Sequence, residues 1–134
     1  MAVIYVARST KFSKWASDVG LSKNVFKLGV AEEPVKDLIA AGWAGETDWQ
    51  LVKKEPAEDL TEEAVIERLR KRETMIDPRY YPRIRDTLGL FKVDPVHVES
   101  HIIVGRALEG GAERVELKLK PADFASYLIH NARR

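Results

Sequence analysis

Three stretches of this 134-residue chain hold side chains whose types and spacing could do chemistry. Tyr5 lies inside the short apolar run Val3-Ile4-Tyr5-Val6, where a phenol can donate or accept a proton. The plainer reading of Tyr5 is a strand aromatic with its ring in the core and its hydroxyl in water. Lys27 sits in a second run, Val25-Phe26-Lys27-Leu28-Gly29-Val30, and reads as an exposed strand lysine. Basic and aromatic residues then alternate, from Arg68, Arg70, Lys71 and Arg72 to Arg79-Tyr80-Tyr81-Pro82-Arg83-Ile84-Arg85. Such a mixture can track phosphates with its cations and stack bases on its rings. Arg68, Arg72, Arg79, Arg83 and Arg85 are therefore the candidate nucleic-acid contacts. The competing reading is a solvated helix face, since Glu67, Glu73, Asp77 and Asp86 dilute the field.

Other chemistries find less support. His97 and His101 stand at i, i+4, a spacing two zinc ligands can use, but Glu99 is misplaced for a metalloprotease motif and no third ligand follows. Gly110-Gly111 has no phosphate-loop or dinucleotide context. The chain has no cysteine, which excludes disulfides, thiol catalysis and cysteine-held metal clusters. That absence fits a reducing compartment, and the N-terminal run has no basic residue before it, so a cytoplasmic protein without a signal peptide is expected. No apolar run approaches the ~18 residues of a membrane span, so no membrane partner is expected. The net charge of +1 conceals segregation: residues 1–31 carry +4, residues 32–63 carry −7, residues 64–92 carry +4, and the remainder is neutral. An anionic partner would meet local patches, not a general positive field.

The elements that must position these residues follow from periodicity. With 45% hydrophobic residues the chain can bury a core without staples, and its length is that of one domain. Val3–Val6 and Val25–Val30 read as strands, and so does Trp49–Val52. Phe12, Trp15, Ala16 and Val19 share one helix face, with Ser9 or Thr10 as cap and Gly20 as stop. Pro34 is placed to open a second helix that Gly42 closes. A third helix is expected near Thr61–Glu73, with Leu60, Ala64, Val65 and Leu69 facing inward. Pro78 and Pro82 break the stretch from Met75 to Leu88. Leu90–Val93 is a short strand, and Asp94-Pro95 caps a helix through about Val104. Val115, Leu117 and Leu119 alternate with charges as a half-exposed strand, and Pro121 opens a last helix over Phe124, Ala125, Leu128 and Ile129. Short, irregular connections favour an α+β domain with a largely antiparallel sheet over a doubly wound one.

Read in order, three segments resemble the GIY-YIG nuclease superfamily, in particular its small phage and bacterial branch. Val3-Ile4-Tyr5 stands for the G-I-Y strand. Phe26-Lys27-Leu28-Gly29-Val30, followed by Glu33-Pro34-Val35-Lys36-Asp37-Leu38, is similar to Y-K-I-G-x-T followed by N-P-x-x-R-L. Gly89-Leu90-Phe91-Lys92-Val93-Asp94-Pro95 is similar to the branch's closing stretch. The resemblance covers residues 1–104 and implies a three-stranded sheet flanked by helices, with residues 105–134 as a strand-helix extension packed on the same domain.

What the resemblance implies for chemistry is a tyrosine base, an arginine that neutralises the scissile phosphate, and a helical glutamate holding one Mg²⁺. Carried onto this chain, Tyr5 is the base, Glu67 the metal ligand, and Lys27 and Lys36 the cations nearest the phosphate. The family arginine falls at Asp37, or at Lys36 if the register shifts by one. Val3 replaces the first glycine and Ala31 the threonine. A carboxylate at the arginine position opposes the charge that gathers in the transition state. The expectation is therefore a degenerate GIY-YIG-like domain that retains association with DNA or RNA. The alternatives are an interaction domain on the same scaffold or, further off, an active Mg²⁺-dependent endonuclease.

Overall fold

The computed structural model describes residues 1–84, 87–108 and 119–133, with all their side chains except those at 83 and 106–108. The protein is α+β, built on a five-stranded antiparallel sheet. The strands are β1 (Ala2–Arg8), β2 (Val25–Glu32), β3 (Gln50–Pro56), β4 (Thr74–Met75) and β5 (Leu90–Lys92), in the order β3-β1-β2-β5-β4. As expected, β1 and β2 pair antiparallel, and β3 lies beside β1. The three strands implied by the resemblance form one side of the sheet; β5 and β4 extend it past β2 to five. The two-residue β4 is too short for any periodicity to announce, and only its pairing with β5 makes it a strand.

Both faces of the sheet are covered, which is why β1 is a continuous apolar run without polar alternation. Ile4 and Val6 face one core with Phe26, Leu28, Val65, Leu69, Phe124 and Leu128. Val3, Tyr5 and Ala7 face the other with Phe12, Ala16, Val35, Ile39 and Trp49. The first core is closed by α3 (Glu62–Arg70) and α5 (Pro121–Ala132), with Val98 of α4 (Pro95–Leu108). The second is closed by α1 (Thr10–Asp18), α2 (Lys36–Ala41) and the loop between α2 and β3.

Local chemistry sets the helix ends. Ser9 Oγ accepts from Phe12 N–H at 3.0 Å, and Thr61 Oγ1 from Ala64 N–H at 3.2 Å, each satisfying a donor of the first turn. Asp94 Oδ1 accepts from Val96 N–H at 2.9 Å at the start of α4. Two expectations are corrected. Pro34 does not open α2: it follows Glu33 through a cis peptide and the helix begins at Lys36. Val19 lies beyond the end of α1 and is exposed, because Gly20 takes a positive φ of 82° and turns the chain away. Of the strand expected over Val115, Leu117 and Leu119, all but Leu119 lies outside the described residues. Among the described residues no helix is long and apolar enough to cross a membrane.

Candidate functional site

The side chain of Tyr5 packs across the sheet from Gly29, its direct cross-strand partner. A Cβ at Gly29 would stand 2.5 Å from the Tyr5 hydroxyl and 2.5 Å from Oε1 of Glu62. Only glycine leaves room for phenol and carboxylate to meet the β2 backbone at that point. Glu62, the first residue of α3, also accepts from Val30 N–H at 3.2 Å. Burial and the nearby Glu62 charge both push the Tyr5 phenol up, so it stays protonated.

Lys27 is the main correction to the sequence reading. It is 5% exposed, not a solvated strand lysine. Its Nζ lies 5.8 Å from the Tyr5 ring centre and 5.4 Å from that of Trp43, and it donates to Leu28 O at 3.2 Å. Among the described residues no carboxylate comes within ion-pair distance of it. Burial pulls the amine down to about 8, against the weaker opposite pull of Glu62. The amine thus holds a proton at neutral pH with two aromatic faces and one carbonyl in place of a counter-ion. Gly89, at φ 85°, lets the backbone pass close by: a Cβ there would stand 2.3 Å from Leu28 O and 3.1 Å from Lys27 Nζ.

Trp43 completes the wall. Its ring stacks on Tyr5 at 6.0 Å with 15° between planes. The α2–β3 loop holds it: Trp49 Nε1 donates to Trp43 O at 3.0 Å, and Asp48 ties the loop to Ser9 Oγ and to Lys11 N–H. Tyr5, Lys27, Trp43 and Glu62 line an open cleft of about 430 Å³, whose remaining wall is mainly apolar, including Leu38 and Leu88. The arrangement offers a cation, a phenol donor and an aromatic face to one ligand.

The other residues singled out in the sequence lie elsewhere. Lys36 and Asp37 are exposed at the start of α2 and do not line the cleft; α2 presents Leu38 to it. Glu67 is exposed, 3.7 Å from Arg70, because five residues of helix turn it well away from Glu62. Neither Glu67 nor Glu62 is placed as the expected Mg²⁺ ligand would be. Glu67 is outside the cleft, and Glu62 already engages the Val30 amide. Among the described residues no group of three or more His, Cys, Asp or Glu could hold a metal ion. Arg68 is half-buried on α3. Arg72 lines a different cleft beside Glu73 and Asp94. Arg79 is held by Asp77 at 2.8 Å. The Arg83 side chain and Arg85 lie outside the described residues.

The sequence reading gave no site role to Glu62, Gly29, Gly89 or Trp43. The signal for Glu62 was present: an acidic residue directly after the Thr61 cap, on the helix where the resemblance implies a functional glutamate. The two histidines of α4 do not form a metal pair. His97 Nδ1 meets Glu73 Oε2 at 2.7 Å, while the His101 ring packs 5.6 Å from Tyr127 and 4.7 Å from His130. Glu73, 5% exposed, accepts in addition from Asp94 N–H at 3.0 Å and Tyr127 Oη at 3.2 Å. No family model matches the chain, and neither a curated protein nor a solved structure matches it.

Proposed function

We propose that the protein binds single-stranded nucleic acid at the cleft beside Tyr5 and does not cleave it. The observation that carries this reading is the buried ammonium of Lys27, which has no ion-pair partner among the described residues and is set against the Tyr5 and Trp43 rings. A phosphate can supply the missing anion, and a base can stack on the exposed part of Trp43. Cleavage needs more: a positioned base, a metal and a cation at the scissile phosphate. The residue expected to hold the metal, Glu67, stands outside the cleft, and of the two expected cations only Lys27 lines it.

The test is a fluorescence-anisotropy titration with a labelled single-stranded oligonucleotide. Binding is expected at about 50 mM salt and is expected to weaken steeply by about 200 mM, as released counterions require. With Mg²⁺ or Mn²⁺ present the oligonucleotide is expected to remain intact. Absence of binding at about 50 mM salt contradicts the reading. Robust cleavage abolished by Tyr5→Phe contradicts its second half.

A second reading, an interaction domain on the same scaffold, rests on α4. Val96, Ile103 and Val104 are 61%, 57% and 57% exposed, at a spacing that puts them on one side of the helix. Sedimentation of wild type and Ile103→Glu tests whether that side joins two copies. It predicts a concentration-dependent dimer that the substitution dissolves, and an unchanging monomer argues against it.

A further inference from the structure

The basic N-terminal block has a destination that the Tyr5 cleft does not use. Of its five basic residues, Arg8, Lys14 and Lys23 line a separate cleft of about 460 Å³, where the end of β1, α1, the start of β2 and the start of α5 meet. One carboxylate, Asp18, lines it too. The charge balance distinguishes it from the two clefts described above. Beside Tyr5, one lysine faces one glutamate; beside His97, Arg72 and Lys92 face Glu73 and Asp94. Among the described residues, none of the three cations here is held in an ion pair.

A second observation is independent of charge. Ser13 lines this cleft, is 5% exposed, and its Oγ is buried without a hydrogen-bond partner among the described residues. A helical serine ordinarily returns its hydroxyl to a carbonyl one turn back. Ser9 O, the carbonyl in question, takes Ser13 N–H at 2.9 Å and no hydroxyl. A buried hydroxyl left unpaired is costly, so it is kept where something supplies the partner. Thr10 and Asn24 add donors to the same wall. Phe26 and Phe124, stacked at 5.2 Å, give it an apolar floor.

We propose that this cleft binds the phosphate group of a phosphate monoester, with Ser13 Oγ donating to a phosphate oxygen and Arg8, Lys14 and Lys23 neutralising its charge. The phenyl pair takes the organic part of the ester, which bare phosphate lacks. The site shares no lining residue with the Tyr5 cleft, so the two stand or fall separately.

The probes are phenyl phosphate, inorganic phosphate, and a short oligonucleotide with either a 5′-phosphate or a 5′-hydroxyl. The readout is the amide NMR shift of residues 13–24 in the intact chain. Millimolar phenyl phosphate is expected to shift these amides saturably and to bind more tightly than inorganic phosphate. Ser13→Ala is expected to weaken it about tenfold while melting no lower than wild type, since it deletes an unpartnered hydroxyl. The Lys14→Ala, Lys23→Ala double variant is expected to weaken it further, and Lys27→Met to leave it unchanged. If the 5′-phosphorylated oligonucleotide produces the same shifts and its 5′-hydroxyl twin does not, a nucleic-acid end is a source of the group. If only phenyl phosphate does, the source is a small monoester. No saturable shift with any phosphate probe overturns the proposal, as does wild-type affinity in both Ser13→Ala and the double lysine variant.

Discussion

Lys27 and Glu73 are each 5% exposed, and they are buried in opposite ways. Glu73 is surrounded by donors: the Asp94 amide, the His97 ring and the Tyr127 hydroxyl all bond to its two oxygens. It ties the end of α3 to α4 and α5, and nothing remains for a ligand to supply. Lys27 has one backbone carbonyl and two ring faces. Its charge is the less well compensated, and it lies on an open cleft. A buried charge whose partners come from its own chain is structural; one left short of an anion beside an opening is placed to receive one.

Glu73 is the costlier of the two to remove. Replacing it by alanine strands two side-chain donors and a backbone amide, so Glu73→Ala is expected to cost about 3 kcal/mol. Thermal denaturation should show a fall of roughly 10 °C in Tm. Binding of the oligonucleotide by the folded variant should not change. A Tm within a degree or two of wild type would mean that Glu73 holds nothing together.

Gly29→Ala should cost about 2 kcal/mol, because its Cβ must displace both the Tyr5 hydroxyl and the Glu62 carboxylate. Unlike Glu73→Ala, it should weaken oligonucleotide binding, and anisotropy at matched folded fraction separates the two effects.

At Lys27 the sign is reversed. Lys27→Met keeps the packing and removes the charge, so chemical denaturation at pH 7 should show stability raised by about 1–2 kcal/mol while binding is lost. The pH dependence follows from the direction of the shift. A lysine whose pKa falls to about 8 from 10.5 on folding holds fewer protons in the native state between those values. Wild-type stability should therefore rise relative to Lys27→Met across that window, by at most about 3 kcal/mol. A constant difference from pH 7 to 10.5 would show an unperturbed amine.

The smallest effect belongs to His97. Its hydrogen bond to Glu73 raises its pKa above 6.5, with Coulombic help from Glu73 and Asp94. The stability it adds is fully present below that value and is lost as pH rises through the higher folded one. Because half of the side chain is exposed, solvent screening holds the effect below about 1 kcal/mol. His97→Gln should flatten that part of the pH-stability curve, and an unchanged curve would exclude the pair from it.

Much of this architecture was legible in the sequence. The runs at Val3–Val6 and Val25–Val30 are apolar enough to read as strands, and the face patterns of α1, α3 and α5 name Phe12, Ala16, Val65, Leu69, Phe124, Ala125, Leu128 and Ile129, all buried, although Val19 is not. Tyr5 was visible as a candidate, and Lys27 with it. The burial of Lys27 was not, because periodicity assigns a face but not what covers it: the cover is Trp43, delivered by a loop with no regular pattern. Glu67 and Glu62 differ in sequence by five places and in space by the turn of a helix, so the glutamate that the resemblance implies lies outside the cleft that Glu62 lines. The pairing of Glu73 with His97 spans 24 residues and three elements, and no local signal carries it.

The ammonium of Lys27 is the group on which binding depends, and its titration can be watched directly. A ¹³C-lysine NMR pH titration, with the Lys27 signal assigned by its loss in Lys27→Met, reads that group alone. The predicted midpoint is about 8 in the free protein, moving upward when a saturating single-stranded oligonucleotide places a phosphate against the amine. A midpoint near the ordinary lysine value, or one that the oligonucleotide leaves where it was, would contradict the claim that Lys27 is a buried cation awaiting an anion.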